Sequence, residues 1–311
     1  GTAACLMPVA LGICAAAKIP ASRQLMPLAF ACGWGGVITM VGTPPNIIAT
    51  GALKAAGLPT FSFFEFAWIG IPLSLAGMLY MMFIGKYLLP KVELSADQEI
   101  AQEIEAKTTS TSKQMISGLI LLLVVVTMAI GIPGITLEMA AVIGAIVCVL
   151  TGCLTEKQAY GSIDWVTIFL FAGMMPIATS MDKTGAGALI ADWTVGLMGG
   201  TPSPMVVTAV LFLLSCTLTQ FMSNTAASAL LCPIGLAIAK QLGADPKAVV
   251  MAIAVAASCA FATPVGTPPN TLVLGPGNYK FMDYVKAGVP LVIVSFIVSI
   301  IIIPMVWPFF P

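Results

Sequence analysis

Gly-Thr-Pro-Pro-Asn occurs twice in this chain, at 42–46 and 266–270, and each copy interrupts strongly apolar sequence. Paired prolines lack backbone donors and clash with the preceding turn, so no continuous helix runs through either copy. The sequence around them is that of membrane helices. Of 311 residues, 59% are apolar and 8% charged, against roughly 25% charged in soluble domains. In lipid, non-helical backbone persists only where protein or a water-filled cavity surrounds it. The chain must therefore fold around two enclosed helix breaks.

A third polar interruption has the same character. Thr219-Gln220-Phe221-Met222-Ser223-Asn224-Thr225-Ala226-Ala227 lies between apolar runs at 206–216 and 229–239. The flanking segments, 203–219 and 226–240, each read as too short to span comfortably, so the pattern predicts a re-entrant hairpin with Ser-Asn-Thr at its tip. Two helix ends meeting there focus backbone donors, backbone acceptors and helix dipoles on one point.

The remaining chain reads as helices and connections. Residues 1–17 form a short helix closed at Lys18, and 24–41 an apolar segment broken at Gly33, Gly35 and Gly36. Helix resumes at 47–56, and a full span covers about 68–88. Residues 91–114 are the charged linker between two halves. Spans follow at about 115–131, 135–152 and 165–181, then a glycine-rich stretch, the hairpin, a half-length helix at 247–262 and a last span at 288–306. The expected division is residues 1–90, the linker, and 115–311. Within the second half the hairpin is expected at 203–240 and a broken helix at 247–276.

The halves repeat. The two Gly-Thr-Pro-Pro-Asn copies are offset by 224, and Leu6-Met7-Pro8 matches Leu231-Cys232-Pro233 at an offset of 225. Lys18 and Lys240 are expected to close equivalent helices. Carrying Ser223-Asn224-Thr225 back by 225 falls just before Gly1, which predicts that the chain is a fragment beginning after a first such tip. An odd number of crossings between the copies would invert them and bring the tips and breaks together near mid-membrane. The fold class expected is an all-α polytopic membrane bundle with inverted repeats, re-entrant hairpins and broken helices.

These interruptions carry oxygens rather than charges. Hard cations take oxygen ligands. The Asn224 side-chain oxygen, with backbone carbonyls near Thr219, Met222 and Gly266, suits one sodium ion, and the Gly42 carbonyl suits another. The hydroxyls of Ser223, Thr225 and Thr267, and the Asn224 amide, suit a carboxylate; Thr43 joins the substrate-binding candidates. No lysine or arginine lies within these motifs. Burying a dianion without a counter-charge is very costly, so coupling to a cation is expected. A proton relay is disfavoured, because no carboxylate sits at either break. Alone, Ser-Asn-Thr is compatible with hydrogen bonding between helices and Gly-Thr-Pro-Pro-Asn with a turn. Their repetition favours a site. Asp164, Asp182, Asp192, Glu65 and Glu138 read as interfacial caps. Eight cysteines without a CxxC spacing, and no histidine, offer neither a zinc constellation nor a disulfide framework.

Met222-Ser223-Asn224-Thr225-Ala226-Ala227, the paired Gly-Thr-Pro-Pro-Asn motifs and Phe169-Leu170-Phe171-Ala172-Gly173-Met174 resemble the divalent anion:sodium symporters of the ion transporter superfamily. That resemblance implies a homodimer in which a transport domain moves as an elevator against a scaffold, with 115–152 as scaffold spans and 153–287 as transport elements, and two or more coupling sodium ions with no organic cofactor. It implies that Ser223, Asn224, Thr225, Thr267 and Pro268 contact a dianionic substrate. By the same resemblance Thr219, Met222, Asn224 and Gly266 belong to the second sodium site and Gly42 to the first.

The expected function is sodium-coupled uptake of a dianion such as succinate, malate, fumarate or citrate. Dicarboxylate exchange, oxyanion permeation and a non-transporting membrane subunit stand as alternatives. No enzyme chemistry and no nucleic-acid partner is expected. Lys86, Lys91, Lys107 and Lys113 place the linker in the cytoplasm. The same scheme puts the C-terminus outside, and the compact loops and short linker point to a bacterial inner membrane.

Overall fold

A computed structural model describes residues 2–90, 111–132, 134–163 and 202–310, and 164–201 in part. The linker at 91–110, Asp164, Phe171, Asp182 and most of the 165–181 span lie outside the described residues. Among those described, regular structure is helical, with no strand.

The chain forms two compact units. The smaller, 102–168, holds α5 (Thr111–Ile130), α6 (Leu137–Leu150) and α7 (Glu156–Gly161). Thr136 caps α6 by accepting the Met139 amide at 3.3 Å, and a Thr155–Gln158 capping box opens α7. Leu119, Leu121, Leu122 and Leu123 are all exposed along α5, as on a helix solvated by hydrocarbon.

The larger unit comprises the rest of the described chain. It holds α1 (Thr2–Ala17), α2 (Leu25–Gly36), α3 (Pro44–Ala55) and α4 (Ala67–Leu88), then α8 (Ala186–Leu197), α9 (Pro204–Thr219) and α10 (Asn224–Leu242). It ends with α11 (Pro246–Ala257), α12 (Pro268–Leu274) and α13 (Phe281–Val306). At 1.5 Å per residue, α4, α10 and α13, with 22, 19 and 26 residues, are long enough to cross an apolar core about 30 Å thick. α5 of the smaller unit, 19 residues over Ser112–Ile130, meets the same criterion. The protein is an integral membrane protein.

Several helices differ from their sequence expectation. α2 runs unbroken through Gly33 and Gly35 and ends only at Gly36. Gly33 is there for packing: a Cβ on it would stand 2.8 Å from the Phe261 ring. α3 starts at Pro44 rather than Ile47, and α12 likewise at Pro268, because proline is well suited to the first helical positions. α10 starts at Asn224 and has 19 residues, so by length it is not a half-span. The counterpart of Lys18 is Gly243, not Lys240. Both are left-handed, at φ 54° and 62°, and the equivalent bonds Ile19 N to Cys14 O and Ala244 N to Ala239 O are both 2.9 Å. α1 and α10 thus end in the same cap at an offset of 225.

Two polar clusters fix which helix ends lie together. At one end, Lys247 Nζ of α11 sits 2.8 Å from Glu65 Oε1, just before α4. Trp307 Nε1 donates to the same carboxylate at 3.0 Å, and the Asp245 amide donates to Phe309 O at 2.7 Å. At the other end, the Tyr279 hydroxyl donates to Ser22 O at 2.6 Å and accepts the Met26 amide at 2.8 Å, while Ser22 Oγ donates to Pro90 O at 2.8 Å. α11 therefore starts level with the beginning of α4 and the end of α13. α2 starts level with the end of α4 and the beginning of α13. The two broken helices enter from opposite ends, and their tips meet where Phe261 packs against Phe30 at 5.4 Å and Trp34 at 5.9 Å.

Burial raises the Glu65 carboxyl, but the bonds from Lys247, Trp307 and the Ser62 amide outweigh it and leave the group below the usual carboxylate range. Its contribution is therefore present above the unfolded value of about 4.3 and is lost as pH falls through the lower folded value. Glu65→Gln is expected to lose about 1–2 kcal/mol at neutral pH. Thermal unfolding in detergent from pH 7 to pH 3 checks this, with the wild-type advantage disappearing in acid.

Candidate functional site

The site is built where α9 ends, α10 begins and α11 breaks. α9 ends at Thr219; the Phe221 and Met222 amides still reach back to Leu218 O at 3.0 and 3.1 Å. Ser223 turns the chain into extended backbone and caps α10, its Oγ accepting the Ala226 amide at 3.1 Å. That use leaves the Ser223 hydroxyl proton available to donate. Asn224 and Thr225 are thus the first helical residues of α10, not members of a loop.

α11 ends at Ala257, and residues 258–267 are irregular until Pro268 starts α12. Several of their backbone groups are satisfied by side chains, since enclosed polar groups need partners. Gln220, almost fully buried, donates through Nε2 to Cys216 O at 2.9 Å and Cys259 O at 3.1 Å, and its Oε1 accepts the Ala262 amide at 3.0 Å. Thr263 Oγ1 donates to Gln220 O at 2.7 Å and accepts the Gly266 amide at 3.2 Å. The hairpin tip and the break therefore form one hydrogen-bonded body.

Asn224 lies at its centre. Its carboxamide faces Thr219 Oγ1, Ala257 O and Gly266 O. With the nitrogen turned inward, Nδ2 donates to Thr219 Oγ1 at 2.7 Å, Gly266 O at 3.0 Å and Ala257 O at 3.1 Å. With the oxygen turned inward, Oδ1 meets the Thr219 hydroxyl at 2.7 Å and otherwise faces carbonyl oxygens. Thr219 Oγ1 also donates to Ala257 O at 2.8 Å, and its single proton serves one acceptor. Protein groups alone select the nitrogen-in orientation. The oxygen-in orientation would instead present an all-oxygen surface of neutral groups, the kind of ligand set that hard cations take.

Thr219, Asn224 and Gly266 are brought together as the sequence suggests. The Gly266 position demands glycine, because a Cβ would stand 2.8 Å from Thr219 O and 2.9 Å from Ala260 Cβ. Met222 is anchored through its amide and is not among the oxygens facing the carboxamide. Thr267 and Thr43 hold matching extended conformations, φ/ψ −146°/142° and −145°/145°, each just before its proline pair. Thr225 and Thr267 are half-buried, Pro268 is exposed, and Thr43 is nearly buried. Gly42 donates its amide to Thr39 O at 3.1 Å in the first break, outside the Asn224 cluster. Two contributors were missed in the sequence. Ala257 acts only through a carbonyl freed by the end of its helix, which its apolar side chain conceals. Gln220 had a readable signal: a long amide in an apolar segment beside Ser-Asn-Thr.

Two half-length helices entering from opposite ends, with neutral oxygens gathered at a break and a hairpin tip, define a membrane transporter by fold and site. A family model described as citrate transporter matches residues 1–231 and, in a second overlapping match, 190–309. The chain belongs to the citrate transporter family, a family of transporters rather than enzymes, in keeping with its resemblance to the ion transporter superfamily. It is 48% identical over 169 residues to the uncharacterized transporter YfbS of Escherichia coli, covering 53% of this chain and 27% of that protein. It is 31% identical over 323 residues to an uncharacterized transporter of Haemophilus influenzae, covering 96% and 66%. The sodium-dependent dicarboxylate transporter SdcS of Staphylococcus aureus is 26% identical over 312 residues, covering 91% and 58%. The chain thus spans between about a quarter and two thirds of the length of these relatives.

Gly266→Ala is expected to force the break away from Thr219 and lower stability by about 1–3 kcal/mol. The thermal unfolding midpoint of the purified protein in detergent checks it. Gly243→Ala, a strained helix cap with open space around it, serves as the comparison that leaves the site intact.

Proposed function

We propose that this protein is a secondary active transporter coupling sodium to the uptake of a divalent anion, a C4-dicarboxylate or citrate, by alternating access. The observation that carries the reading is that the inward end of the Asn224 carboxamide faces three oxygens, Thr219 Oγ1, Ala257 O and Gly266 O. Oxygen-in, it gives sodium a neutral ligand set with Gly266 O and the Thr219 oxygens, and the Met222 carbonyl would have to swing toward them to join that set. Gly42 O serves a second sodium at the first break. Bound sodium then supplies the positive charge that the motifs themselves lack. The Ser223, Thr225 and Thr267 hydroxyls donate to the substrate carboxylates, with Thr43 and Pro268 lining the same site. The S. aureus relative, by its name, is a sodium-dependent dicarboxylate transporter, which supports both cation and substrate class.

In the same reading, the 115–152 spans belong to a scaffold through which two copies pair. The hairpin and both breaks belong to the part that moves across the membrane. The protein resides in a bacterial inner membrane with its C-terminus outside. The test is uptake of labelled succinate by liposomes holding protein expressed from its complete reading frame, with and without an inward sodium gradient. Sodium-dependent uptake, falling about tenfold or more in Asn224→Ala, is expected from loss of one well-made polar contact. Uptake driven only by internal dicarboxylate would replace symport by exchange. Succinate uptake insensitive to Asn224→Ala would sink the site.

A further inference from the structure

Asn46 and Asn270, the last residues of the two repeated motifs, are both fully buried. Each spends its amide nitrogen on two carbonyls of the irregular backbone before it. Asn270 Nδ2 donates to Ala260 O at 2.8 Å and Thr263 O at 2.9 Å. Asn46 Nδ2 donates to Thr39 O at 2.9 Å and Val37 O at 3.4 Å. Thr39 and Thr263 are equivalent at the repeat offset of 224, and the two bonds have the same length.

In both cases Oδ1 is buried with no partner. A buried acceptor left without a partner is unfavourable, and this chain carries that penalty twice at equivalent positions. The penalty follows from geometry. Prolines at the two preceding positions supply no N–H to the bend, so a short side chain with two hydrogens must reach back and join its carbonyls. Aspartate has the same shape but would set oxygen against oxygen, and serine carries only one hydrogen.

We infer that Asn46 and Asn270 are paired positioning residues that hold the carbonyls of the two breaks in cation-binding geometry. The connection at the second break is direct. Asn270 fixes the Thr263 carbonyl; the Thr263 hydroxyl in turn holds the Gly266 amide and Gln220 O. At the first break, Thr39 O accepts from both Asn46 and the Gly42 amide. The effect on sodium rests on the proposed function, whereas the holding of the bends does not.

The test uses protein expressed from its complete reading frame, with Asn46→Asp and Asn270→Asp compared to wild type. Hydrogen exchange of peptides covering 37–43 and 258–267 reads the bends. Each variant is expected to speed exchange in its own bend and leave the other unchanged. Thermal stabilisation by sodium chloride, with choline chloride keeping ionic strength constant, reads cation binding. Losing an orienting partner behind a ligand raises half-saturation about ten- to a hundredfold. Should Asn270→Asp fail to fold, Asn270→Ser, with one donor left, is expected to fall between wild type and that loss.

Unchanged exchange in the variant's own bend overturns the positioning role. Faster exchange with unchanged sodium half-saturation, in a wild type that does respond to sodium, overturns the link to binding and leaves a purely structural contact. A wild type indifferent to sodium is a failure of the symport reading instead, and the exchange pattern then decides the positioning role by itself.

Discussion

Every backbone donor and acceptor enclosed by this membrane protein needs a partner from within it. An uninterrupted helix meets that requirement by itself. The two broken helices do not: α2 stops at Gly36 and α11 at Ala257, and both restart only at a proline pair. The stretches between are supported by side chains that reach into them. Asn46 serves the first; Gln220, Thr263 and Asn270 serve the second. The rest of the larger unit is arranged to let those side chains arrive, with α10 and α9 packed on one side of the second break and α13 on another.

The same requirement explains the chemistry available there. Carbonyls excluded from helical pairing are partial negative charges held in place, and a hairpin tip can add a side-chain oxygen beside them. Among the protein groups the Asn224 amide turns its nitrogen inward; in the proposed reading a cation would turn its oxygen inward instead. A carboxylate there would bind cations more strongly but would bring its own charge into an apolar enclosure.

Much of the fold was legible because proline, glycine and hydropathy act locally. The repeat at offsets of 224 and 225, the membrane setting and the breaks all follow from residues near one another in sequence. Helix boundaries were less legible. Gly33 looks like an interruption until Phe261 is seen to pack against it. Lys240 looks like a helix end until the left-handed cap is found at Gly243. In each case a local propensity was overridden by a partner or cap that composition does not announce.

The sequence by itself determined that the chain lies in a membrane, that its helices break twice at matching motifs, and that any ligand there meets neutral oxygens. Those are consequences of side-chain chemistry and spacing. Only the tertiary structure decided which oxygens meet. Asn224 faces Ala257 O, 33 positions away, and Gly266 O, 42 away, because α11 runs back beside the hairpin. It also decided that the two breaks point at each other, through polar contacts at opposite ends of α4 and α13. Such meetings depend on directions in space that no local stretch of sequence encodes.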